Sequence, residues 1–157
     1  MSLELALYQP DIPQNTGTML RLCACLGVRA SIIEPANFPV SDRAFRRAGL
    51  DYLDAVAIER HASFTAFDIW RRAAGRRLLL LTTKGAIPYT RFAFRPDDIL
   101  MVGRESAGVP TLVHESADAC LVVPMQPHLR SINVAVAGAM VLGEALRQTA
   151  GFPLQPA

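Results

Sequence analysis

The sequence predicts an α/β protein built on a mainly parallel sheet flanked by helices. Six short apolar runs alternate with segments of helical period, and several of those runs lack any polar alternation. A strand covered on one face alternates apolar and polar residues. One covered on both faces reads as an unbroken apolar run, which is the habit of parallel sheets.

In chain order, the expected strands are residues 3–8, 29–33, 55–58, 77–82, 99–103 and 119–123. Residues 16–26 are expected to form a helix that opens at Asn15 or Thr16 and stops at Gly27. A second helix, 41–48, opens with Ser41 or Asp42 and ends at Gly49. Phe64, Phe67 and Trp70 recur every three residues between a Ser63 cap and a Gly75 stop. The last and longest helix is expected over 131–148. The tail 151–157 carries Pro153 and Pro156 and is expected to be poorly ordered. Without repeats or linkers, 157 residues fit one domain, 1–157.

Hydrophobic residues make up 51% of the chain and charged ones 19%, enough for a core and too apolar for disorder. A net charge of +2 argues against polybasic nucleic-acid binding and leaves room for a local patch. Lys84 is the only lysine, and arginine suits bidentate phosphate contacts. Cys23, Cys25 and Cys120 form an odd set with no disulfide spacing, which points to a reducing cytosol. No signal-peptide pattern opens the chain, and the longest uncharged apolar stretch, 134–143, is half the ~20 residues of a membrane span. A cytoplasmic protein without a membrane partner is expected.

In open parallel sheets, ligands bind beyond the carboxyl ends of the strands. Four loops at such ends are unusual: 9–17, which enters a helix carrying Arg21, then 82–85, 103–110 and 124–133. The chain contains no Gly-x-Gly-x-x-Gly, no Walker A sequence and no Gly-x-Ser-x-Gly. These absences disfavour a generic α/β hydrolase or phosphate-binding enzyme. His61, His114 and His128 lack ligand spacing, and Cys23 and Cys25 diverge on a helix, so packing accounts for them and no metal is expected.

Three stretches together are more specific. Asn15-Thr16-Gly17-x-x-x-Arg21 follows the first strand, Gly103-x-Glu105-x-x-Gly108-Val109-Pro110 a late one, and Val123-Pro124-Met125 leads to Ser131-Ile132-Asn133. In this order they resemble the three motifs of the SPOUT superfamily, most closely its TrmH-type 2′-O-ribose RNA methyltransferases. Ile33-Glu34-Pro35, the run from Arg46-Arg47 through Gly49 to Tyr52, and Leu81-Thr82-Thr83-Lys84-Gly85 narrow the resemblance. They are similar to the branch that methylates the wobble pyrimidine, cytidine or uridine 34, of tRNA. The similarity covers about residues 3–153, with departures at Arg104, Ala107 and Ala135-Val136.

The resemblance implies a deep carboxyl-terminal trefoil knot, an exception to the rule that chains do not thread loops. It also implies S-adenosylmethionine as cofactor, S-adenosylhomocysteine as product, a tRNA substrate and an active site at a homodimer interface. By matching position, it places cofactor contacts at Leu81, Gly103, Val123 and Ser131. Arg21, Glu105, Ser131 and Asn133 match residues that catalyse or organise the site.

The residue types bear on these roles. A guanidinium is a poor base, so Arg21 is expected to clamp the phosphate beside the target ribose and stabilise the forming alkoxide. Glu105 reads either as a solvated loop carboxylate or as an anchor for loop donors, Arg21 or Asn133. Ser131 and Asn133 suit a helix cap and equally a contact to cofactor or RNA. Arg46 and Arg47, beside Arg43, are candidate RNA contacts, and Arg71, Arg72, Arg76 and Arg77 form a second cluster. Acidic neighbours leave solvated helix faces as the other reading of both clusters. Methylation of another tRNA or ribosomal RNA ribose, and a non-catalytic RNA- or cofactor-binding module, are the alternative functions.

Overall fold

Most successive strands are separated by a helix, the connection that returns a chain to a sheet in the same direction. The computed structural model describes residues 2–36, 38, 43–85 and 87–156, at 49–51 through the backbone alone. The chain runs β1 (Glu4–Tyr8), α1 (Pro13–Leu26), β2 (Arg29–Ile33), α2 (Arg43–Gly49), β3 (Ile58–His61), α3 (Phe64–Ala73) and β4 (Leu78–Leu81). It continues through β5 (Ile87–Pro88), β6 (Ile99–Val102), α4 (Thr111–Ser116), β7 (Ala119–Val122) and α5 (Val134–Thr149). Short 3-10 turns occupy Leu50–Ala55 and Tyr89–Arg91.

The strands form one sheet in the order β3-β2-β1-β6-β4-β7-β5, every pair parallel, as the apolar runs predict. Leu7 and Leu81 both pair with Val102, and Leu81 also pairs with Leu121, so the carboxyl ends of four strands lie level. One face carries Leu5, Leu7, Leu79 and Leu100 under Met19 and Leu20 of α1 and Val141 and Leu142 of α5. The other carries Ala6, Ile33, Leu80 and Met101 under Phe64 and Phe67 of α3 and Val113 of α4. Burial of a side chain such as Phe67, fully enclosed here, contributes about 1.5–3 kcal/mol.

Local signals set several boundaries as expected. The Ser63 hydroxyl accepts from the Ala66 N–H at 3.1 Å, and Gly27 and Gly75 end helices with φ of 65° and 68°. Other boundaries differ. α1 begins at Pro13, whose fixed φ suits a first helical turn, and Thr16 lies inside, its hydroxyl donating to the Ile12 carbonyl at 3.3 Å. Ser41 and Asp42, the expected caps of α2, lie outside the described residues. β3 is shifted to Ile58–His61, because 50–55 is a 3-10 turn and β3 is an edge strand, where Glu59 and Arg60 face charged partners. α5 starts at Val134 rather than at 131. β5 and α4 are too short for periodicity to reveal.

The amino-terminal edge of the sheet is closed by arginines. Arg76 donates to Glu4 at 2.7 Å, to the Asp97 carbonyl at 2.9 Å and to the Ser2 carbonyl at 2.6 Å. The other Glu4 oxygen accepts from the Ser31 hydroxyl, which lies 3.1 Å from His61 Nε2. Arg71 bonds Asp68 at 2.7 Å, Asp118 at 2.8 Å and the Ser116 carbonyl at 2.8 Å, while Arg77 grips Asp98. Arg71, Arg76 and Arg77 are therefore neither a solvated face nor an RNA surface. Each is spent on a strand start, at the end of the sheet opposite the four polar loops.

Candidate active site

The level carboxyl ends of β4, β6 and β7 open into a pocket of about 470 Å³. Leu80, Leu81, Val102, Val122 and Val123 line it as an apolar floor, with Thr82, Thr83 and Ser131 among its polar residues. Two loops are shaped by close backbone approach. A Cβ on Gly103 would stand 2.9 Å from the Gly108 carbonyl carbon, and Gly108 has a φ of 65°. Arg104 and Gly108 exchange N–H···O bonds of 2.9 and 2.8 Å, closing the 104–108 turn on itself. A Cβ on Gly85 would meet the Leu121 backbone at 2.6 Å, so the 82–85 loop lies flat against β7.

Leu81, Gly103, Val123, Ser131, Glu105 and Asn133 all line this one pocket, although they come from three separate loops. Asn133 is the N-cap of α5: its Oδ1 accepts from the Ala135 and Val136 N–H groups at 2.8 and 3.3 Å. Its Nδ2 donates to Asn15 Oδ1 at 3.1 Å, so the cap also ties α5 to α1. Ser131 lies two residues before the Asn133 cap, exposed on the pocket wall, and is not itself a cap.

Glu105 anchors a backbone donor, but on neither of the side chains expected. Its Oε2 accepts from the Asp11 N–H at 3.2 Å, and its own N–H donates to Asp11 Oδ1 at 3.2 Å. Glu105 Oε1 and Arg104 Nε are buried with no hydrogen-bond partner among the described residues. Burial first, then the neighbouring Asp11 carboxyl, pushes the Glu105 carboxyl up to about 7. The hydrogen bond with Glu105 holds Asp11 below the usual carboxylate range.

Arg21 is not brought to the pocket of its own chain. It is exposed on α1, its guanidinium 4.6 Å from the centre of the Tyr52 ring. Arg46 and Arg47 are exposed in the last turn of α2, away from the pocket lining. Sequence reading passed over Asp11 and Asn15 as site partners. Both lie in the 9–17 loop it singled out, but their partners are 94 and 118 residues away. Among the described residues, no group of three or more His, Cys, Asp or Glu could hold a metal ion.

The geometry has counterparts in known proteins. A tRNA (cytidine(34)-2'-O)-methyltransferase of Beijerinckia indica is 74% identical over 144 residues, covering 92% of this chain and 90% of that one. A solved structure described as giving insights into the 2-OH methylation of C/U34 on tRNA is 39% identical. It superposes with a TM-score of 0.88, covering 93% of this chain and 95% of the other. An AdoMet-bound rRNA methyltransferase from Sinorhizobium meliloti is 28% identical with a TM-score of 0.85, covering 93% of this chain and 56% of that one. The SpoU rRNA Methylase family model matches residues 2–143, and this chain belongs to that family.

Proposed function

We propose that this chain is an S-adenosylmethionine-dependent methyltransferase that modifies the ribose 2′-hydroxyl of the wobble pyrimidine, position 34, in tRNA. One observation carries the reading: the four residues expected to hold the cofactor line a single pocket with Glu105 and Asn133. The substrate follows from the activity in the names of its relatives.

The pocket fits such a cofactor. Its volume lies in the range of roughly 300–1,000 Å³ found for small-molecule sites. Its apolar strand ends suit the faces of a purine, and the hydroxyls of Thr82, Thr83 and Ser131 suit polar groups. When bound, S-adenosylmethionine supplies an electrophilic methyl group on a sulfonium. The chain must then align a ribose hydroxyl with that methyl and take up the hydroxyl proton. Alignment alone can contribute roughly 7–11 kcal/mol when geometry is tight. Glu105 suits the proton, since a carboxyl that titrates near neutrality both accepts and releases one at working pH. Ser131 and Asn133 border the same space, and Asn133 is held rigidly by its cap and by Asn15.

The same proposal includes a homodimer, a knotted carboxyl-terminal threading over one domain, and a cytoplasmic setting. Val136 and Met140 stand four residues apart on α5, 53% and 41% exposed, and Ile132 just ahead of the helix is 38% exposed, an apolar patch a second copy would cover. Arg21 lies outside its own pocket, and a symmetric pair offers a way to bring an arginine and a larger RNA surface to each site. No helix among the described residues is long and apolar enough to cross a membrane.

The test is methyl incorporation from labelled S-adenosylmethionine into total tRNA of a strain lacking this protein. Nuclease digestion and mass spectrometry then locate the product. A 2′-O-methylated wobble pyrimidine is expected. A product at another nucleotide moves the target, and cofactor binding without transfer to tRNA or ribosomal RNA overturns the enzymatic reading.

A further inference from the structure

The loop entering α1 and the turn after β6 meet at one residue. Asp11 takes hold of consecutive residues across a chain separation of 94: its N–H donates to Glu105 Oε2, and its Oδ1 accepts from the Glu105 N–H. Its Oδ2 accepts from the Ser106 hydroxyl and lies 3.7 Å from the Arg104 guanidinium. Because Arg104 and Gly108 close the turn on itself, gripping 104–106 places the whole turn, including the wall at Gly103 and Gly108. On the other side, Asp11 lies two residues before Pro13, where α1 begins and carries Asn15 to Asn133. The two polar walls of the pocket are thus joined through Asp11, which does not itself line the pocket.

We propose that Asp11 is a positioning residue of the methyl-transfer site, holding the Glu105 carboxyl and the 104–108 turn against the entry to α1. This rests on reading the pocket as the methyl-transfer site. A half-buried carboxyl with one oxygen unpartnered turns toward water unless it is held: the Asp11 N–H holds the other oxygen, and the Asp11 side chain holds the backbone that carries it. The pair also divides its charge. Asp11, stabilised first by its hydrogen bond with Glu105 and then by Ser106 and Arg104, keeps the negative charge, and Glu105 keeps a proton to near neutral pH. Among the described residues, Arg104 is the other charged residue lining the pocket, and it faces Asp11 from the same turn.

The experiment compares Asp11→Asn and Asp11→Ala with the unmodified full-length protein. Asparagine keeps the backbone N–H and one carbonyl oxygen but removes the charge, so the turn still folds against the loop. Three quantities are read: the carbon-13 titration of the Glu105 carboxyl, identified by its loss in Glu105→Gln; the single-turnover methyl-transfer rate against pH; and the steady-state KM for tRNA. In Asp11→Asn, the Glu105 midpoint falls but stays above the ordinary carboxylate range, because burial remains, and the acid limb of the rate profile moves with it. In Asp11→Ala, the rate falls about ten- to hundredfold while the KM for tRNA stays within about threefold. A Glu105 midpoint unchanged in Asp11→Asn, or a rate in Asp11→Ala within about twofold of the unmodified protein, overturns the proposal. If the unmodified protein transfers no methyl group while Asp11→Asn still shifts Glu105, the proposal is overturned at its premise, the function of the pocket, and not at the contact.

Discussion

Arg76→Met measures what the closed end of the sheet contributes. The Glu4 and Arg76 side chains are 1% and 2% exposed and 2.7 Å apart, so the carboxylate has exchanged its water for a guanidinium. Methionine fills much of the arginine stem but leaves one Glu4 oxygen facing no donor. Ser31 still serves the other oxygen. Removing one partner of such a buried pair costs about 3–5 kcal/mol. The carbonyls of Ser2 and Asp97 also lose a donor, but both bonds are only part-buried, and water replaces it. For a chain of this size each kcal/mol moves the thermal midpoint by about 2–4 °C, so Arg76→Met should fall by roughly 6–20 °C. Calorimetry and urea titration at pH 7 give the number. Glu4→Leu combined with Arg76→Met should recover a large part of the loss, since the stranded carboxylate is gone. A fall of less than about 3 °C, or a double variant no more stable than the single one, refutes an uncompensated buried charge as the cause.

Further expectations follow from the site. An unfolded chain loses the Glu105 proton near the ordinary value of 4.5, whereas the fold keeps it to about 7, so this group's contribution to stability falls as pH rises between those values and is level above. Glu105→Gln removes that slope from the unfolding midpoint measured against pH; parallel curves for the two proteins would contradict it. Gly103→Ala places a Cβ 2.9 Å from the Gly108 backbone and must push the turn aside. S-adenosylmethionine affinity should drop by about tenfold or more in calorimetry, in line with an overpacking cost of about 1–3 kcal/mol. Reversing charge at Arg46 and Arg47 should weaken tRNA binding and flatten its salt dependence, by about one unit of log–log slope for each phosphate no longer neutralised. An unchanged slope removes both residues from the RNA surface.

The strands and helices were legible wherever their signal is local. Four successive leucines at 78–81 read as a strand covered on both faces, and they are one. Ser63 and Gly75 bracket α3 because capping and the left-handed turn involve neighbours a few residues away. β3 was displaced because an edge strand tolerates charge and so lacks an apolar run. The candidate site was legible as three loops, since motif spacing marks them, but not as a constellation. Asn133 illustrates the gap: both readings of it, cap and pocket residue, hold at once, and the bond to Asn15 that joins them is not written in either segment.

The order of residues along the chain thus dictates the α/β class, most element boundaries and the loops that carry chemistry, because periodicity and capping act over one or two helical turns. Folding decided the rest. It sent Arg71, Arg76 and Arg77 to the structural end of the sheet and left Arg21 outside its own pocket against Tyr52. It also set Asp11 against Glu105. Whether a charged group is a solvated ornament, a buried strut or a proton store depends on its desolvation and its distant partners. Those are fixed when segments far apart in sequence come within about 3 Å of one another.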